Sequence, residues 1–320
     1  MGAYVLRRLT YGVGVVLGVL FLLFVLFFTV TAPEDIARKA LGEKASPEVI
    51  QAWTKNHGYD RPLWPWQDWD DNLLFDHYQR MLTFDFGLSD ADDSPIIERI
   101  RKGMGPSLSL TVPLLVLGLL ASIPLSLLVA FFRETYIDRM GVFICVLAMS
   151  VSTLLYIIGA QFLIGKVLRW YPISGFDADP LLLPRFLALP VIVGLMSGIG
   201  GDVRFYRTVF LEESSRDFVR TARAKGASEP RIMMRHVLRN ALIPVLTHVV
   251  MAIPFLFTGS LLLESFFGIP GLGSLTVDAI RANDFSTLRT MVYIGSLLFI
   301  LGQVATDLSY GLVDPRVRFE

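Results

Sequence analysis

A single cysteine, Cys145, occurs in 320 residues. With no second thiol the chain forms no internal disulfide, and the paired-cysteine spacing of a structural metal site is missing. Charge is scarce: 18% of residues are Asp, Glu, Lys or Arg, against about 25% in soluble domains. A phosphate-binding loop is also lacking. The one Gly-Lys pair, Gly165-Lys166, has Ala160 where GxxxxGK[ST] needs its first glycine and Val167 where it needs a hydroxyl. No set of acid, base, nucleophile or metal groups converges, which argues against a membrane enzyme. No internal repeat stands out, which argues against a secondary transporter or channel built on matched broken helices.

What the chain has instead is apolar residues, 53% of the total, gathered in long runs. A spanning helix needs about 20 mainly apolar residues to cross about 30 Å of hydrocarbon. Charge-free runs at Leu9–Pro33, Gly103–Phe132, Met140–Gly165, Asn240–Leu263 and Thr290–Thr306 meet or approach that length. A sixth, Phe186–Gly201, reaches it through "PLLLP" if Arg185 snorkels to the interface. The expected fold is therefore an all-α polytopic membrane protein with six spans. The first run is too long for the apolar region of a signal peptide, about 7–15 residues, and is read as a retained anchor. Three regions follow: 1–30 with the first span, an outer segment 31–102, and a core 103–320 holding spans two to six.

Lys and Arg concentrate in short segments that share one side: Met1–Arg8, Arg133–Arg139, Arg204–Arg239 and the tail after Asp307. By the positive-inside bias both termini are expected in the cytoplasm. The outer segment carries 14 Asp/Glu against nine Lys/Arg and four Trp between positions 53 and 69. Aromatic residues of this kind favour the membrane–water boundary, so a small helical cap is expected there. "WDDNLLFDHYQRMLTF" reads as an amphipathic helix ending before Gly87.

Between spans four and five lies the most basic passage, "FVRTARAKGASEPRIMMRHVLRNALIPVL" at 218–246. Leu211, Phe218 and Ala222 recur at helical spacing, with Arg216, Arg220 and Arg223 on another face. Lys225 and Gly226 form a helix stop, a cation in the last turn followed by the residue that best tolerates left-handed geometry. Ser228 is an N-cap candidate and Pro230 suits the first turn of the next helix. A helix–Gly turn–helix exposed in the cytoplasm follows, with small residues Ala222, Ala224, Gly226 and Ala227 that let a partner approach the backbone. Charge and turn alone would also suit a solvated inner loop; a nucleic-acid-binding motif is made improbable by the flanking spans.

"ARAKG" followed by "RHVLRNALIPV" resembles the coupling loop of ABC importer permeases of the dipeptide/oligopeptide family. The likeness extends to "YVLRRL", "YDRPL", "HYQRMLTFDFGLS", "LLLESFFGIPGLGSL" and "DLSYGLVDPRVRFE", all similar to the first of the two permease types. "MGAYVLRR" and "LVDPRVRFE" further resemble the branch that imports microcin C and related peptide antibiotics. Where importers in general begin the loop with Glu-Ala-Ala, this chain has Arg220-Thr221-Ala222, so no coupling glutamate stands at 220.

The resemblance implies a type I importer permease in the bacterial inner membrane, non-catalytic and without a cofactor of its own. ATP and Mg would be bound by two partner ATPase subunits. A second homologous permease, an extracytoplasmic solute-binding protein and a peptide substrate complete the implied assembly. The coupling loop, about 211–239, would present Arg220, Ala222, Arg223, Ala224, Lys225, Gly226, Ala227 and Ser228 to an ATPase. "FFGIPGLGSLTVDAI" is either an ordinary outer hairpin or, as the resemblance implies, a gating element involving Phe266, Phe267, Gly271 and Gly273. Glu264 at its start either faces substrate or pairs with a nearby donor. Gln161, His248, Gln303 and Asp307 are polar groups at membrane depth, which default to functional readings. A hydrogen bond between helices is the favoured role for His248, and a pairing with a cytoplasmic Arg for Asp307.

Overall fold

The computed structural model describes residues 2–31, 33–42 and 44–313. Helix α1 (Gly2–Phe24) runs on into a π-helical turn, Val25–Val30. Three short helices, α2 (Pro33–Leu41), α3 (Pro47–Asn56) and α4 (Leu73–Thr83), build the outer segment. The long α5 (Ile96–Phe131) follows, then α6 (Tyr136–Ser150), α7 (Thr153–Ala160) with a π-helical extension Gln161–Val167, and α8 (Leu183–Ser214). The basic passage forms α9 (Asp217–Ala224) and α10 (Glu229–Ile232), the latter passing through a π turn, Met233–Val237, into α11 (Leu238–Thr258). Helices α12 (Leu261–Phe267), α13 (Leu272–Ala282) and α14 (Phe285–Val313) complete the chain.

Five helices among the described residues are long and apolar enough to cross a membrane, and α6 with α7, bent by 85° at their junction, passes the same test as a pair. Two of the expected spans are thus interrupted. The run at 140–165 carries no charge, yet Val151 is extended and the Ser152 hydroxyl accepts from the Leu154 amide to start a new helix. Within the fifth candidate span, Glu229–Phe267, helix α11 breaks after Thr258 because Gly259 adopts φ +73°. Apolar positions on α6 stay open, as with Phe143, Ile144 and Leu147, each more than half exposed.

The outer segment packs as a cap on the end of α1 and on α13 and α14. Phe24, Phe28, Tyr59, Met81, Phe86 and Tyr293 belong to one buried cluster. On the aqueous side each large apolar group removed from water stabilises by about 1.5–3 kcal/mol. Asn72 caps α4 through its side chain, and Phe84, in left-handed geometry, ends it ahead of Gly87. Trp64 stacks on Trp66 at 4.8 Å and meets the Phe24 ring edge-on, placing indoles at the outer end of the first span.

The cap is latched to α14 by two buried carboxylates. Asp90 accepts from the Ser286 amide (2.7 Å), the Ser286 hydroxyl (2.9 Å) and Tyr59 (3.3 Å). Asp284 accepts from Ser89 (2.6 Å), the Asp90 amide, Thr287 and Arg99. Burial pushes the Asp90 carboxyl above its ordinary range and the Tyr59 phenol up to about 12. His77 hydrogen-bonds the Leu20 carbonyl at 3.1 Å, and burial followed by the nearby Arg289 charge lowers it to about 3, so its ring is neutral.

Candidate functional site

The basic passage folds into a handle. Arg216 breaks the chain between α8 and α9 with extended geometry and holds Glu213 at 2.9 Å. The Ala227 amide bonds the Ala222 carbonyl (3.1 Å) and the Gly226 amide the Arg223 carbonyl (2.9 Å), the paired closure of a Schellman motif. Gly226 supplies the φ of +81° this needs, and a Cβ added there meets nothing within 4 Å. Val219 and Ala222 face inward against Ile232, Met233 and Val237, and the same cluster takes in Tyr206 and Phe210 of α8. Arg220, Ala224, Lys225, Gly226 and Ser228 are exposed, with Ala227 half-buried.

Three details depart from what the residue pattern suggests. Ala222, expected among the small residues offered to a partner, is buried in the cluster beneath. Arg223, expected to be available to a partner carboxylate, forms a two-pronged pair with Glu229 across the turn (2.6 and 3.0 Å). Ser228 takes the extended N-cap geometry, but its hydroxyl makes no capping bond.

At the opposite end of α11, Glu264 is fully buried. It accepts from the Ser107 hydroxyl (2.9 Å) and from the amides of Ser260 (3.0 Å), Gly273 (2.7 Å) and Ser274 (3.1 Å). One carboxylate thereby ties α5 to the starts of α12 and α13, where helix N-termini favour negative charge. Gly259, Gly271 and Gly273 leave it room, since a Cβ on any of them would collide with its oxygens. Of the two roles open to Glu264, the geometry selects donor pairing. Phe267 is buried in the cluster beneath, while Phe266 is 40% exposed. Gln161 donates to the Phe266 and Ile173 carbonyls (2.9 and 3.0 Å), a second polar tie on this hairpin.

Between α5, α8 and α11 lies a cavity of about 350 Å³. Its walls are mostly apolar, with Thr111 and Ser260 toward the hairpin and Asp202, Tyr206 and His248 toward the handle. His248 accepts or donates one bond at Nδ1 with the Tyr206 hydroxyl (2.9 Å), the expected link between helices. Of His248 and the candidate gate residues of the hairpin, only His248 lines this cavity. Asp202 escapes a reading of the sequence because it ends the apolar run of span four. The Asp138–Arg207 pair, which clamps α6 to α8 at 2.7 and 2.8 Å, likewise has no signal in the residue pattern. The side chain of Asp307 lies outside the described residues. Among the described residues no group of three or more His, Cys, Asp or Glu could hold a metal ion.

Comparison with known proteins matches residues 122–319 to the binding-protein-dependent transport system inner membrane component, and residues 1–111 to the N-terminal part of such membrane components. The chain belongs to that family. It is thus an ABC importer permease with the type I fold, a multi-pass protein of the inner membrane. It is similar to the glutathione transport system permease protein GsiC of Salmonella typhimurium, 32% identical over 319 residues and 99% of both chains. GsiC of Shigella flexneri is 32% identical over 324 residues, and that of Escherichia coli K12 31% over 323, again with 99% of each chain covered. Permeases of this family work with ATPase and binding-protein partners.

Proposed function

We propose that this permease forms half of the translocation pathway of a peptide importer. It would pair with a second homologous permease, two ATP-binding subunits and an extracytoplasmic solute-binding protein. The relatives named for glutathione transport, a tripeptide-like solute, support a peptide or peptide-like cargo; a peptide antibiotic of the microcin C kind is a narrower version of that reading. In this scheme the chain holds no cofactor, ATP and Mg reside on the partners, and both termini lie in the cytoplasm.

The observation that carries the coupling role is the closed turn at Gly226. Its inward face is packed into α8 and α11, and its outward face offers small side chains and cations. ATP-driven movement of a partner gripping this turn would be transmitted as a rigid displacement. A shift from 1:99 to 99:1 between two pathway states requires about 5.5 kcal/mol, which one docking surface can supply. Gly226→Val tests this. A β-branched residue at φ +81° costs about 1–3 kcal/mol locally, without any clash. The variant is expected to insert and assemble, retain ATP hydrolysis by the complex and lose uptake. Normal uptake would count against the handle, and uptake by the isolated chain without ATPase subunits would favour a secondary transporter or channel.

A further inference from the structure

We propose that Asp202 is the recognition residue for a cationic group on the transported solute, in a peptide its α-ammonium. This rests on the peptide reading above. Asp202 is the one Asp, Glu, Lys or Arg among the residues lining the cavity between α5, α8 and α11. It is half-buried, and among the described residues it has neither a hydrogen bond nor an ion pair.

Neither cation nearest in sequence pairs with it. Arg207 is held by Asp138, and Arg204, exposed, lies 3.9 Å from the Met149 sulfur. His248, an electrostatic neighbour of Asp202, engages Tyr206 through Nδ1 and stacks on Phe205 with ring centroids 4.7 Å apart. The other buried carboxylates of this chain are treated differently. Glu264 collects four donors, Asp90 three, and Asp138 a two-pronged guanidinium. A carboxylate left without a partner in a mostly apolar cavity is costly, and such groups mark solute paths.

The shape of the cavity fits the same occupant. Between His248 and Leu256, the first and last residues of α11 that line it, the helix rises about 12 Å, whereas three extended residues reach about 10 Å. A short peptide therefore fits lengthwise, its ammonium on Asp202 and its far end near Thr111 and Ser260. The apolar middle accepts varied side chains without selecting among them. Asp202 is then a point of selection inside the membrane, additional to whatever the binding protein selects.

The test uses the complete complex in proteoliposomes with its binding protein, a labelled tripeptide with a free amino end, and the same tripeptide N-acetylated. Asp202→Asn is expected to cut uptake of the free-amine peptide about tenfold, the scale of one charge-assisted contact. Asp202→Glu is expected to restore most of it, and any uptake of the acetylated peptide is expected to change little. Wild-type uptake by the Asn variant overturns the inference and leaves the peptide reading standing. Equal losses for both peptides, or a Glu variant as poor as Asn with less assembled complex, also overturn it, by making Asp202 a structural partner of the sister permease. If the wild-type complex imports neither peptide, the peptide reading falls and takes the inference with it.

Discussion

Replacing Glu264 separates a structural staple from a solute contact. In the fold its two oxygens take four donors, Ser107 and Ser260 on one, Gly273 and Ser274 on the other. Each buried donor deprived of its partner costs about 1–3 kcal/mol. Glu264→Ala opens space that water can enter, so the four losses sum to less than their maximum, about 3–6 kcal/mol. Glu264→Gln is the sharper variant. It has nearly the same shape, and with its amide nitrogen toward Ser107, whose hydroxyl can turn to accept, it forfeits the Ser260 amide bond at about 1–3 kcal/mol. At about 2–4 °C per kcal/mol, the Gln variant is expected to melt roughly 2–12 °C lower. Thermal unfolding of the purified complex in lipid nanodiscs, followed by tryptophan fluorescence, reads this directly. A Gln variant that melts within about 1 °C of wild type yet fails in uptake would refute the staple and make Glu264 a solute ligand.

Two further outcomes follow from charges described above. Arg207→Ala leaves the Asp138 carboxylate, 8% exposed, facing α8 without its guanidinium, at a cost of about 2–4 kcal/mol; melting of the assembled complex measures it, and Arg207→Lys should recover only part because one ammonium cannot match both carboxylate oxygens. His77 is lowered to about 3 in the fold, against about 6.5 unfolded, so the unfolded chain takes up the extra proton between those values. Its stabilising share is present above about pH 6.5 and is lost as pH falls, reaching about 1.4 kcal/mol at pH 5.5. Asp90, shifted upward, acts with the opposite sign. The difference in melting between wild type and His77→Gln across pH 7–5.5 isolates the histidine, and parallel curves would refute the assignment.

Much of the fold is legible in the chain because its cues are local. Charge-free length marks the crossings, and Gly226 with Pro230 marks the handle to the residue. The breaks at Ser152 and Gly259 escape because hydropathy registers the absence of charge, not the φ of a glycine or a serine hydroxyl capping a helix inside a span. Glu264 stays ambiguous in the sequence for a different reason. Its donors come from Ser107, from Ser260 four positions upstream and from Gly273 and Ser274 nine and ten downstream, a convergence that exists only after α5 packs beside the hairpin. The Arg207–Asp138 clamp, 69 residues apart, has no local signature at all. Asp202 is hidden in another way: a rule that ends each span at its first charge cannot see that the helix runs on through that charge to Ser214.

The shared acceptor at Glu264 also bears on how the hairpin end of the helix bundle gives way. Three chain segments lean on one anion, so none can peel off while the others keep their places. Thermal agitation should leave this region shut until it yields all at once, as an arch does when its keystone drops. Amide hydrogens of Ser260, Gly273 and Ser274 should accordingly exchange with solvent at a common rate, although they lie on different helices.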